Sequence, residues 1–173
     1  MMIRIAKRIK MSKKMNKKIE LLHPVLRNQA QALYEEANRR LTGRAKMLIV
    51  STLRTFSEQD ELYAQGRTKP GNRITNAKGG QSLHNYGLAI DFALLIDGKT
   101  ASWEDLKDFD GDRKADWMEI VEVFEAAGWE WGGRWKGFPD RPHLQKTSGN
   151  DWRTLLKRTQ EGKMKDGYVR LSV

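Results

Sequence analysis

The sequence contains no cysteine. A thiol nucleophile, a thiolate-held metal and a disulfide framework are all excluded. The compartment stays open, because both the cytosol and the exterior tolerate such a chain. No apolar run approaches the roughly 20 residues of a membrane-spanning helix. The N-terminus is basic, but Ile3, Ile5 and Ile9 are separated by charged residues, unlike the apolar stretch of a secretory leader. There is no internal repeat and no sign of a second domain. A serine-nucleophile elbow is also missing: Gly80 precedes Ser82 by two, but His84 stands where the second glycine belongs. Histidine is scarce, at three residues, which makes His23, His84 and His143 easy to weigh one by one.

What is present suits one globular domain: 173 residues, 39% apolar and 31% charged. The net charge of +10 is uneven. Residues 1–18 hold eight Lys or Arg and no acid, residues 146–173 carry +4, and the middle is near neutral at −2. The expected organisation is a basic extension at 1–18, a single domain at 19–160 and a tail at 161–173. Basic ends attract polyanions such as nucleic acid, anionic lipid or an anionic wall polymer, or simply keep a tail solvated.

His23 and Pro24 read as a helix start, with proline at the first helical position. Leu26, Ala30, Leu33, Ala37 and Leu41 then form one apolar face, and Gly43 is the expected stop. His23 is a candidate ligand by type, but its place argues for a structural role. Residues 47–50 read as a buried strand, with Arg54 just beyond it; by position alone Arg54 suits a surface ion pair. Ser57 through Asp60 resemble a capping box opening a helix that ends at Gly66. Residues 67–80 are a long loop of turn formers, expected to rim a site. Residues 88–96 alternate as a strand, with large Leu88, Ile90, Phe92 and Leu94 on one face and Ala89, Asp91 and Ala93 on the other. Asp97 and Gly98 signal a hairpin turn.

Two constellations carry chemistry. His84 and Asp91, seven apart across Gly87, suit a turn followed by a strand that brings both to one ion. His143 comes from a distant strand. Two imidazoles, one carboxylate and an open fourth position form a catalytic zinc set. Asp140, three before His143, is then free to serve as a general base. The second constellation is the run from Asp108 to Glu119. Acids at 108, 110, 112, 116 and 119 occupy positions 1, 3, 5, 9 and 12 of a calcium loop, although the sixth position is Arg113 rather than glycine. The alternative is an exposed acidic helix cap. An ion there would couple to the histidines through a helix over 117–127. Trp129, Trp131 and Trp135 in a glycine-rich stretch suit either a core or a substrate platform.

The pattern of Ser82, His84, Gly87, Ala89 and Asp91, then Gly128 to Trp135, then Asp140, Pro142 and His143, resembles the M15 zinc peptidases. These are the D-Ala-D-Ala carboxypeptidase and dipeptidase group. Within it the chain looks most like the L-alanyl-D-glutamate endopeptidases found as phage endolysins and bacterial wall hydrolases. The resemblance spans roughly residues 20–147. It implies zinc on His84, Asp91 and His143, Asp140 as catalytic base, and Arg54 steadying the oxyanion. Aspartate rather than glutamate at 140 favours the endopeptidase branch. Ser82, Tyr86 and Trp135 are expected to bind substrate. Thr52 and Leu53 depart from the usual Gly-Tyr, and Leu144 stands where an aromatic is common; both bear on substrate packing.

The expectation is therefore an α+β protein, a small antiparallel sheet with helices packed around it and the zinc site at one end of the sheet. It is expected to be a monomer that hydrolyses the L-Ala–D-Glu bond of peptidoglycan, with no nucleic-acid partner. The cofactors would be Zn2+ and, at 108–119, Ca2+. It would be made in the cytoplasm without a signal peptide and act on the wall after release. The alternatives are a D-Ala-D-Ala carboxypeptidase or dipeptidase of the same fold, and a non-catalytic wall-binding module.

Overall fold

The structure is a computed structural model describing residues 17–172. The basic extension expected at 1–18 lies outside these residues except for Lys17 and Lys18. The first long helix, α1 (Pro24–Arg40), has proline at its first turn and His23 as N-cap, whose ring accepts from the Val25 N–H. Leu26, Ala30 and Ala37 form its buried face. It stops at Arg40, before Gly43. Gly43 has another duty: a Cβ there would lie 2.4 Å from Cβ of Asp110, so the chain passes too close for any side chain.

Strand β1 (Ala45–Ser51) pairs antiparallel with β2 (Ala89–Ile96). Helix α2 (Phe56–Ala64) lies between them in sequence. Its N-cap is Thr55 rather than Ser57, in a reciprocal capping box with Glu58. A tight turn at Asp97 and Gly98, both with positive φ (52° and 68°), leads to β3 (Thr100–Ser102). Helix α3 (Asp116–Ala126) follows, then β4 (Glu130–Trp131), β5 (His143–Gln145) and α4 (Trp152–Gln160). The main sheet runs β1-β2-β5-β4, with β3 beside the far end of β2. An α+β protein with a small antiparallel sheet is thus what the structure shows.

The even face of β2 meets α3, where Trp117 stacks on Phe92 at 4.4 Å between ring centroids. On the odd face Asp91 is flanked by Ala89 and Ala93, which leaves room there. Gly128 ends the turn after α3 with φ 79°. Trp129 and Trp131 are core residues, whereas Trp135 is half-exposed.

Residues beyond 160 are not a tail. Strands β6 (Met164–Lys165) and β7 (Tyr168–Val169) make a hairpin that folds back onto the start of α1. Val169 is buried, His23 Nε2 lies 2.9 Å from its carbonyl oxygen, and Ser172 N–H donates to Asn150 at 2.7 Å. The domain therefore extends through Ser172, and His23 is a structural residue at this junction. Among the described residues no helix is long and apolar enough to cross a membrane.

Candidate active site

The site is assembled around one cross-strand pair. Asp91 on β2 lies opposite His143 on β5 and opposite Ser51 on β1. Beside Ser51 the β1 ladder shifts register by one residue, a bulge that re-aims the chain toward Arg54. His84 sits in a single 3-10 turn (Leu83–Tyr86) whose N-terminus is capped by the Ser82 hydroxyl. Gly87 closes that turn in the left-handed region, at φ 69°. A Cβ on it would lie 2.6 Å from the His23 nitrogen, so both conformation and space require glycine.

The three donors converge. His84 Nε2 lies 3.0 Å from Asp91 Oδ1 and 3.2 Å from His143 Nδ1, and His143 Nδ1 lies 3.2 Å from Asp91 Oδ1. The opposite nitrogens fix the tautomers. His84 Nδ1 faces the Thr52 carbonyl at 2.6 Å, so it carries the proton. His143 Nε2 faces Gln145 Oε1 at 3.0 Å, and the Gln145 amide in turn donates to Glu130 at 2.9 Å. Both inward nitrogens then present lone pairs beside a carboxylate oxygen. Three acceptors facing one point need a cation. Tetrahedral metal–ligand bonds of about 2.0–2.1 Å put ligand atoms about 3.3 Å apart, close to the spacing found here. The residues therefore fit a single metal ion.

Without metal, this packing sets charge. Burial alone would raise Asp91, but hydrogen bonds from His143 and His84 outweigh it and hold the carboxylate well below its usual range. Burial likewise pushes His143 down, and Asp91 more than restores it.

Asp140 is positioned by backbone. Its N–H donates to the Gly132 carbonyl at 2.9 Å, and its own carbonyl accepts from His143 N–H at 3.2 Å. The Trp131 indole donates to the Arg141 carbonyl at 2.7 Å and pins the same turn. A Cβ on Gly132 would meet the Asp140 carbonyl at 2.6 Å, so this approach also requires glycine. The Asp140 carboxylate lines the cleft with His84, Asp91 and His143. Burial raises its pKa, with nearby Asp91 adding and the histidines and Arg54 opposing.

Arg54 points inward rather than pairing at the surface. Its guanidinium donates to Gln59 at 2.8 Å and to Ser51 and Asp91 at 3.3 Å each. Buried Gln59 is anchored to the Ala77 carbonyl at 2.8 Å, which ties Arg54 to the long loop. That loop rims the cleft with Ile74 through Ala77. The cleft has a volume of about 730 Å³.

Ser82 and Trp135 line this cleft, with the Trp135 ring 5.1 Å from that of His143. Tyr86 does not. Its ring is buried against Phe56, its hydroxyl donates to the Gly80 carbonyl at 2.6 Å, and burial pushes the phenol up to about 12. It holds the His84 turn and offers no surface to a substrate. Leu144 is likewise fully buried in the core and does not line the cleft. Gln145, Thr52, Glu130 and Gln59 orient the site residues yet carry no sequence signal for that duty, except that Gln145 falls two after His143 on a strand. Asp108, Asp110, Asp112, Asp116 and Glu119 gather in a separate cluster at the start of α3.

Two sheet strands and an adjoining 3-10 turn that together present two imidazoles, a carboxylate and a second, unligated carboxylate have the layout of a single-metal hydrolase. The family profile described as D-alanyl-D-alanine carboxypeptidase, of the M15 peptidases, matches residues 75–146. The peptidoglycan L-alanyl-D-glutamate endopeptidase CwlK of Bacillus subtilis is 48% identical over 126 residues, covering 72% of each chain. An L-alanyl-D-glutamate peptidase of Listeria phage A118 is 32% identical over 100 residues, 58% of this chain and 30% of that protein. The crystal structure of the Serratia marcescens L-Ala D-Glu endopeptidase ChiX aligns with a TM-score of 0.49 and 21% identity, covering 78% of this chain and 87% of that one. The chain belongs to the M15 family of metallopeptidases.

Proposed function

We propose that this protein is a zinc-dependent endopeptidase that hydrolyses the L-Ala–D-Glu bond of peptidoglycan stem peptides. The observation that carries the hydrolytic reading is the convergence of two imidazole lone pairs and the Asp91 carboxylate, with Asp140 facing the same cleft. The bond is supported by the activities named for the Bacillus subtilis and phage relatives. An internal cut needs substrate on both sides of the reacting centre. The cleft supports this: along β2, Thr147 lies beyond one side of Asp91 and Trp103 beyond the other, and both line it.

His84, Asp91 and His143 would hold the zinc. When bound, zinc supplies Lewis acidity that lowers the pKa of a water and polarises a carbonyl. Asp140 takes the proton of the attacking water and returns it to the leaving amine. Its raised pKa makes it a stronger base than an ordinary surface aspartate, so it holds the proton more firmly until the amine leaves. Arg54 donates to the oxygen that gains charge, held in aim by Gln59 and Ser51. Trp135 with Ile74, Trp103 and Phe138 gives the stem peptide an apolar rim. The protein acts as a monomer on the wall, and the basic ends of its sequence favour anionic wall polymers. We assign no nucleic-acid partner.

The test is Asp140→Asn in the zinc-loaded protein. The variant should keep its fold and its zinc and lose about 10²–10⁴-fold in kcat on a synthetic stem peptide. Undiminished cleavage would remove Asp140 from the mechanism. The D-Ala-D-Ala reading, kept by the family description, predicts release of terminal D-Ala from the same peptide.

A further inference from the structure

The acids of the 108–119 segment form two sets whose ligand atoms lie within 4.8 Å of one another. One is Asp108, Asp110 and Asp116; the other is Asp110, Asp112 and Glu119. Oxygens bound to one calcium at about 2.3–2.6 Å lie at most about 5 Å apart, so each set fits a shared ion. Clustered surface acids alone imply no ligand. Here two of them are buried: Asp116 is 1% exposed and Glu119 6%. Yet Asp116 Oδ2 and Glu119 Oε2 have no hydrogen-bond partner among the described residues. Buried, unpartnered carboxylate oxygens are costly and call for a cation. Lys114 does not supply it, since its ammonium pairs with Glu122 at 3.3 Å.

We propose that this loop is a divalent-cation site of the calcium type, with Asp108, Asp110, Asp112, Asp116 and Glu119 as ligands. Five carboxylates on one loop suit calcium, which takes six to eight oxygens, better than magnesium, which demands tight octahedral geometry. Arg113 at the sixth position takes φ 75°, the left-handed conformation that glycine usually supplies there, so the turn forms in spite of its side chain. Burial, with Asp112 and Asp110 beside it, pushes Glu119 up to about 7.

The site would brace two distant parts of the chain. Asp110 Oδ2 accepts from the Thr42 N–H and hydroxyl at 3.0 and 2.9 Å, at the α1–β1 connection. Asp116 opens α3, whose next residue, Trp117, packs on Phe92 beside Asp91. The assignment does not depend on the peptidase reading.

The experiment is thermal unfolding of the full chain at constant zinc, titrated with calcium chloride and separately with magnesium chloride. Calcium should raise the Tm saturably, and magnesium should raise it much less. Glu119→Gln should abolish the rise while leaving the calcium-free Tm equal to or above that of the parent, because it removes an unpartnered buried carboxylate. Asp112→Asn, at an exposed position that cannot threaten the fold, should raise the half-saturating calcium concentration about tenfold. No calcium-dependent shift, an equal shift with magnesium, or a shift unchanged in both variants would overturn the proposal.

Discussion

At the scale of single residues, the site depends on groups that never touch a metal. Gln145 and the Thr52 carbonyl choose the tautomers of His143 and His84. Gln145→Ala should therefore weaken zinc binding about 10–100-fold while leaving the fold intact, measured by competition with a chromogenic chelator. A zinc affinity equal to that of the parent would show that the tautomer is set elsewhere. As the proposed base, Asp140 should control the acid limb of the pH profile. The base must be ionised, and burial raises its pKa, so kcat/KM should fall with decreasing pH at a value above the roughly pH 4 of a free aspartate. Asp140→Asn should remove that limb along with the activity. The grouping of His84, Asp91 and His143, and the place of Asp140 in the same cleft, were legible because residue type and spacing announce them. Tyr86 was misread because a tyrosine two residues from a ligand histidine looks the same whether it faces the cleft or the core. Only packing against Phe56 and Gly80 decides.

At the scale of elements, glycine and backbone hydrogen bonds do the positioning. Gly87 carries both a positive φ and a close approach to His23. Gly87→Ala should cost about 1–3 kcal/mol from backbone conformation alone, with the clash adding more. The Tm should fall by roughly 5–10 °C, by calorimetry. A loss smaller than a degree would mean that the 3-10 turn relaxes freely. The helices and the long strand were readable from apolar periodicity. The short strand that carries His143 was also readable, whereas β4, two residues long, falls below the length at which alternation can be seen and exists because β5 offers it an edge. The C-terminal hairpin was missed for a related reason. Its strands are two residues each and mostly polar, and only Val169 is buried. Truncation after Gln160 should uncover His23 and lower the Tm, whereas a free tail would leave it unchanged.

At the scale of the whole molecule, the strands, helices and loops converge on one cleft. β2 supplies Asp91, β5 supplies His143, the 3-10 turn supplies His84, and the turn pinned by Trp131 supplies Asp140. The acidic loop, the proposed cation site, stands on the far side of the Phe92–Trp117 contact. Substrate identity is the part that no single residue announces, because it is set by the shape of the whole cleft. The most direct test is digestion of purified peptidoglycan by the zinc-loaded protein, with and without chelator, read by mass spectrometry. The account predicts new peptides ending in L-Ala and new amino termini on D-Glu, both abolished by the chelator. Release of terminal D-Ala alone, or an intact wall, would contradict it.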